Sequence, residues 1–114
     1  MIENIDDRVK FITELLDDKK ATDIEVFDLD DVDYIAKKVI LSTSISGKHT
    51  DALFNHLKIA LKSENEDILA SDETDDWTVA DLGDVLIHIM TPEYRELYSL
   101  ETFLEELKSK SNYN

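Results

Sequence analysis

Residues 77–93 leave this chain the fewest options. Trp77 to Leu82 and Val85 to Met90 are two runs of strand-favouring residues with only Gly83 and Asp84 between them. A gap that short predicts a tight turn at Gly83 and an antiparallel hairpin. Thr91-Pro92-Glu93 follows at once. Thr suits an N-cap, Pro the first helical position and an acid the positive end of the helix dipole, so a helix is predicted to start there. Period-2 alternation places Trp77, Val79 and Asp81 on one face and Thr78, Ala80 and Leu82 on the other. With Asp81 on its side, the Trp77 face is expected to be partly wet and the indole exposed.

The rest of the chain switches between the same two periods. Ile5, Val9, Ile12 and Leu16 recur at helical spacing, flanked by Ile2, Phe11 and Leu15, and Asp17-Asp18-Lys19-Lys20 ends that helix. Ile24 to Leu29 predicts a short strand opened by Asp23. Lys38 to Thr43 predicts a second strand, buried on both faces by its continuous apolar run. Ser44 or Ser46 caps a helix that buries Ala52, Leu53, Leu57, Ala60 and Leu61 and ends near Ser63. A brief strand is expected at Asp67 to Ala70. After the Pro92 helix, Ser99 caps a further stretch with Leu100, Phe103, Leu104 and Leu107 along one face, and Ser109 to Asn114 is expected to fray. The order α-β-β-α-β-β-β-α-α predicts an α/β (α+β) fold: a single mixed β-sheet of about five strands with helices packed on it, in one domain over residues 1–114.

Charge then narrows the partners. The chain carries 27 acids against 12 bases, a net charge of −15. On the roughly 6,000 Å² that a fold of this size exposes, the resulting anionic field argues against direct binding to nucleic acid, whose phosphates demand Lys and Arg. Anionic membrane surfaces are disfavoured for the same reason. A basic protein patch or a metal ion fits. The absence of Cys excludes a disulfide framework, a thiolate zinc site and a thiol nucleophile. Two Gly and one Pro leave no room for a Gly-rich phosphate loop or a flexible linker. No apolar run approaches the roughly 18 residues of a membrane span. The start, Met1-Ile2-Glu3-Asn4-Ile5-Asp6-Asp7, lacks the basic character of secretory and import signals, so a cytoplasmic location is expected.

Four groups of residues carry chemistry worth weighing. Between 63 and 84 stand nine acids, uninterrupted by Lys or Arg, with Trp77 among them. Such a run is either a solvated loop or an anionic docking surface with an aromatic anchor, Trp being the type most enriched in binding hot spots. Asp28, Asp30, Asp31 and Asp33 invite a two-metal reading, because paired carboxylates bind Mg²⁺ in nucleotidyl transfer, but they equally make a polar loop, and no Gly-Ser turn precedes them. His49 and His56 lie seven apart, too far for a helical metal pair. His88 reads as a hydrogen-bonded structural residue, and His49 as a polar contact at a helix start. Ser42, Thr43, Ser44 and Ser46 suit caps and turns better than nucleophilic attack, since no nucleophile elbow accompanies them.

The segment Asp76-Trp77-Thr78-Val79-Ala80-Asp81-Leu82-Gly83-Asp84-Val85-Leu86-Ile87-His88-Ile89-Met90, continuing through Thr91-Pro92-Glu93-Tyr94-Arg95-Glu96-Leu97-Tyr98-Ser99-Leu100-Glu101, closely resembles the Iojap/RsfS family of ribosomal silencing factors. The family pattern is an aromatic strand, a D-x-G-D turn, a V-x-V-H strand, then T-P-E-x-R-x-x-Y-x-L-E. Lys20-Ala21-Thr22-Asp23-Ile24 and the Lys48-His49 pair add support. In the turn that family members write T-G-T-S-S-R-H, this chain has Ser44 for Gly and Lys48 for Arg. The resemblance implies a nucleotidyltransferase-like fold without enzymatic activity. It also implies binding to the large (50S) ribosomal subunit through ribosomal protein L fourteen, where the factor obstructs the 30S subunit and represses translation under nutrient limitation. On that reading the docking face is Trp77, Asp81, Leu82, Gly83 and Asp84 with neighbouring Asp75 and Asp76. Trp77 and Leu82 are the apolar anchors, and the carboxylates meet Lys and Arg. No catalytic residue, cofactor or metal is implied, and a homodimer stays open. The alternative is a Mg²⁺-dependent nucleotidyltransferase-like enzyme built on Asp28, Asp30 or Asp33. A third reading is an acidic DNA mimic.

Overall fold

The strand runs assemble into one sheet. A computed structural model of the chain describes residues 2–111. Its strands are β1 (Thr22–Asp28), β2 (Lys38–Thr43), β3 (Ala70–Asp72), β4 (Trp77–Asp81) and β5 (Val85–Met90), in the order β1-β2-β5-β4-β3. β2 and β5 run parallel and the other pairs antiparallel, so the sheet is mixed, as expected. The helices among the described residues are α1 (Ile5–Asp18), α2 (Gly47–Ser63), α3 (Pro92–Tyr98) and α4 (Leu100–Ser111). None of them is long and apolar enough to cross a membrane.

The central strand explains the layering. All six residues of β2 are buried, which is why its apolar run does not alternate. On one face, Ile40, Ala80, Val85, Ile87 and Ile89 pack under Ile12 and Leu16 of α1 and Leu53, Phe54, Leu57 and Leu61 of α2. On the other, Phe27, Val39, Leu41 and Leu86 gather with Leu104 of α4 and with Leu29 and Ala36 from the β1–β2 connection. This second cover is smaller, and the outward side chains of β4 stay only half-buried.

Local chemistry moves several boundaries. β1 starts at Thr22 rather than Ile24, with an irregular register between Thr22 and Glu25 where Asp23 takes φ 47°. β3 lies at Ala70–Asp72 rather than 67–70, because its position is set by pairing with β4 and not by any pattern of its own. Ser46 caps α2, its Oγ accepting from the His49 N–H at 3.3 Å, whereas Ser44 is buried and bonded to Thr50 Oγ1 at 2.6 Å. α2 buries Phe54 where Ala52 was expected, and Ala52 is exposed. Thr91 stands at the N-cap of α3 without a capping side-chain bond. Ser99 adopts a left-handed φ of 44° that closes α3 instead of capping α4. α4 runs through Ser111, and the last residues of the segment expected to fray, 112–114, lie outside the described residues.

Candidate functional site: an open sheet face beside the acidic loop

Strand alternation builds the site. Trp77, Val79 and Asp81 point to the thinly covered side of β4, and Thr78 and Ala80 point into the core. β5 lies alongside, pairing Val79 with His88 and Asp81 with Leu86. α3 then brings two tyrosines to the same end. The rings of Trp77 and Tyr98 sit 5.0 Å apart and those of Tyr98 and Tyr94 5.5 Å apart, within the range of favourable aromatic packing.

The indole is therefore not free-standing. Its Nε1–H donates to His88 Nδ1 at 3.0 Å, and the two rings lie 5.9 Å apart. Burial pushes the His88 pKa down to about 4, so the imidazole is neutral and carries its proton on Nε2. The Trp77 face is partly wet, as expected, but the indole is half-buried rather than exposed, because Tyr98 and His88 cover part of it. The expected hydrogen bond of His88 is present.

Two hollows open on this face. One, about 340 Å³, lies between Trp77, Tyr94, Thr74 and Asp76. The other, about 350 Å³, is floored by Val79, Leu86 and His88 and walled by Tyr34 and Ile35 on one side and β3 on the other. Val79 and Asp72 border both.

The seven residues expected to form one docking face are divided by the structure. Trp77 and Asp81 share the open face, Asp76 lies at its rim, and exposed Asp75 faces Gly47 at the start of α2. The loop that carries those two is pinned. Asp76 accepts from the Thr91 N–H at 2.9 Å, and a Cβ on Gly47 would come 2.9 Å from the Asp75 Cβ. Asp81 Oδ1 accepts from the Gly83 N–H at 2.7 Å, which closes the hairpin turn around Gly83 at φ 97°. Asp84 turns to the α1 side, where its carboxylate takes the Arg8 guanidinium that also pairs with Glu66 at 2.8 Å. Leu82 corrects the expectation most clearly. It is 8% exposed and packs in the core under α1 and α2, because the alternation that presents Trp77 sends Leu82 to the opposite face.

Sequence reasoning missed Arg95. It is 9% exposed, yet its Nε meets Glu101 at 3.0 Å, its Nη2 meets Glu25 at 2.7 Å, and its Nη1 donates to Thr43 Oγ1 at 2.9 Å. This one side chain ties α3 to β1, β2 and α4, and so fixes the tyrosines against Trp77. A cation in a seven-residue helix reads as solvated, and only its position in the T-P-E-x-R pattern marked it. Tyr34 and Ile35 were missed because they sit in a connection without periodicity.

The acids of the β1–β2 connection are arranged around a lysine. Lys38 Nζ lies 3.0 Å from Asp28, 3.1 Å from Asp30 and 3.8 Å from Asp6. Burial opposes the Lys38 charge, but hydrogen bonds to Asp28 and Asp30 outweigh it and raise its pKa. The Asp30 backbone N–H, then Lys38, lower that of Asp28. An ammonium thus stands between the two carboxylates that the two-metal reading requires, and Asp33 is exposed beside them. Among the described residues, no group of three or more His, Cys, Asp or Glu is placed to hold a metal ion. The histidines at 49 and 56 are likewise apart in role. His49 accepts from the Ile45 N–H and reaches the Lys19 carbonyl, each at 2.8 Å, and His56 is exposed.

Known proteins resemble this chain in sequence and fold. The family model for "Ribosomal silencing factor during starvation", RsfS, matches residues 2–113. A ribosomal silencing factor RsfS of Haemophilus influenzae is 35% identical over 95 residues, covering 82% of this chain and 93% of that one. The RsfS of Chromobacterium violaceum is 33% identical over 94 residues, covering 81% and 77%. A crystal structure of a C. violaceum protein superimposes with a TM-score of 0.85 at 30% identity, over 90% of this chain and 88% of that one.

Proposed function

The chain belongs to the RsfS family of ribosomal silencing factors during starvation, and from that premise we propose that it binds the large ribosomal subunit through ribosomal protein L fourteen. There its bulk bars the small subunit from joining and lowers translation when nutrients are short. Obstruction of this kind needs a firm grip and no bond-making step. The observation that carries the reading is the Trp77–Tyr98–Tyr94 cluster, set in an open sheet face and bordered by Asp72 and Asp76. Aromatic anchors with an acidic rim suit a basic protein, and a net charge of −15 is repelled by ribosomal RNA. Lys38, locked between Asp28 and Asp30, weighs against a nucleotidyltransferase built on those acids.

Sedimentation of ribosomal particles tests this. The protein is expected to travel with free large subunits and to deplete 70S ribosomes. Truncating a central anchor commonly costs about 2 kcal/mol, so Trp77→Ala should weaken binding roughly 30-fold or more. A thermal melt on the same sample separates lost grip from lost fold. Large subunits that retain the variant as tightly as the parent would rule this face out.

A further inference from the structure

We propose that the second hollow, between Ile35 and the β3 edge, is a side-chain socket for the same ribosomal protein. It takes an aliphatic or aromatic residue that is flanked by Lys or Arg in the partner. The inference rests on the docking reading above and extends it to residues on a different part of the chain.

Ile35 is 75% exposed, although it stands beside a depression of about 350 Å³ whose floor is Val79 and Leu86. Ile35 is thus continuous with an apolar floor rimmed by aspartates, the arrangement that marks a protein-contact surface, unlike an exposed apolar residue standing alone. The wall that carries it is braced, since the ring of neighbouring Tyr34 packs edge-on against Phe103 of α4 with centroids 6.1 Å apart. The opposite wall is an edge strand. Ala70, Ser71 and Asp72 are all exposed and pair with β4 on one side.

Charge selects the occupant. Asp72 and Asp81 sit on the border of the hollow, and Asp76 borders the adjoining one beside Trp77. A phosphate-bearing ligand would be repelled there, and a cationic protein segment attracted. Continuity selects the same partner. Val79 and Asp72 line both this hollow and the one beside Trp77, so an extended segment that engages the indole would pass directly over the socket. An apolar residue would fill the depression while its basic neighbours meet the aspartates.

Cosedimentation with purified large ribosomal subunits at modest salt provides the test. Ile35→Asp should weaken binding about tenfold, and Ile35→Leu should stay within about twofold of the parent. Ile35→Ser, which adds no charge, keeps the comparison open if the Asp variant folds poorly. Asp72→Asn should flatten the salt dependence of binding. If Ile35→Asp and Ile35→Ser bind like the parent while Trp77→Ala does not, the socket is wrong and the docking face stands. If all of these variants, Trp77→Ala included, bind normally, both are wrong.

Discussion

Beneath the Trp77 indole lies a histidine that must stay neutral. His88 uses the lone pair on Nδ1 to accept from Trp77, and burial holds its pKa at about 4 against an ordinary 6.5. From pH 6.5 down to about 4 the unfolded chain therefore binds a proton that the folded chain refuses, and stability falls as the pH falls. Below that window both states are protonated and this site adds no further loss. The shift corresponds to about 3 kcal/mol. His88→Asn keeps an acceptor oxygen near the indole but does not titrate. Between pH 7 and pH 4 the parent should lose about 3 kcal/mol more than this variant in urea unfolding followed by Trp77 fluorescence. Parallel losses would show that His88 is not held neutral. At this scale the sequence was informative where one strand decides the outcome and silent where several elements meet. Alternation alone placed Trp77 and Leu82 on opposite faces, which already told against a docking face that used both as anchors, and Leu82 lies in the core. Nothing local announced that Tyr98 and His88 would cover the indole, because both contacts cross between elements.

The β4–β5 hairpin shows how an element depends on a single backbone position. Gly83 adopts φ 97°, and a Cβ there would come 3.2 Å from Leu69 Cδ1. Gly83→Ala should then cost about 1–2 kcal/mol, mainly through the strained backbone. The loss should appear as a lower urea midpoint with an unchanged slope, since the hairpin still forms. An unchanged midpoint would mean that the turn tolerates a side chain by relaxing. The same hairpin was the most legible part of the chain, because one glycine between two apolar runs admits a single pairing. β3 was not legible to the residue, since a three-residue edge strand has no pattern and takes its place from β4. Helix α2 was legible in extent but not in rotation. Its Ala52 and Phe54 compete for the buried stripe, and the larger ring wins because it excludes more apolar area from water.

The whole molecule measures 42 × 35 × 22 Å and carries its charge excess as one anionic body. The mixed sheet between helices could be foreseen from element order, but the extent of the proposed contact surface could not. That surface exists only where α3, β4, β5 and the β1–β2 connection converge. Size and charge together predict the kinetics of silencing. If the proposed docking on a basic ribosomal protein holds, the attraction acts at long range, so raising salt from about 0.05 to 0.3 M should slow association about tenfold and change dissociation little. An obstructing body works by occupancy, so inhibition of subunit joining should rise linearly with added protein and saturate at one copy per large subunit. An enzyme that modified the ribosome would turn over, and a few hundredths of an equivalent would then suffice given time. Titrating purified subunits and following 70S formation by light scattering separates the two. A plateau near one equivalent, reversed when the factor is washed off in high salt, is the outcome expected of a wedge. Inhibition that persists after removal of a substoichiometric dose would replace the wedge with a catalyst.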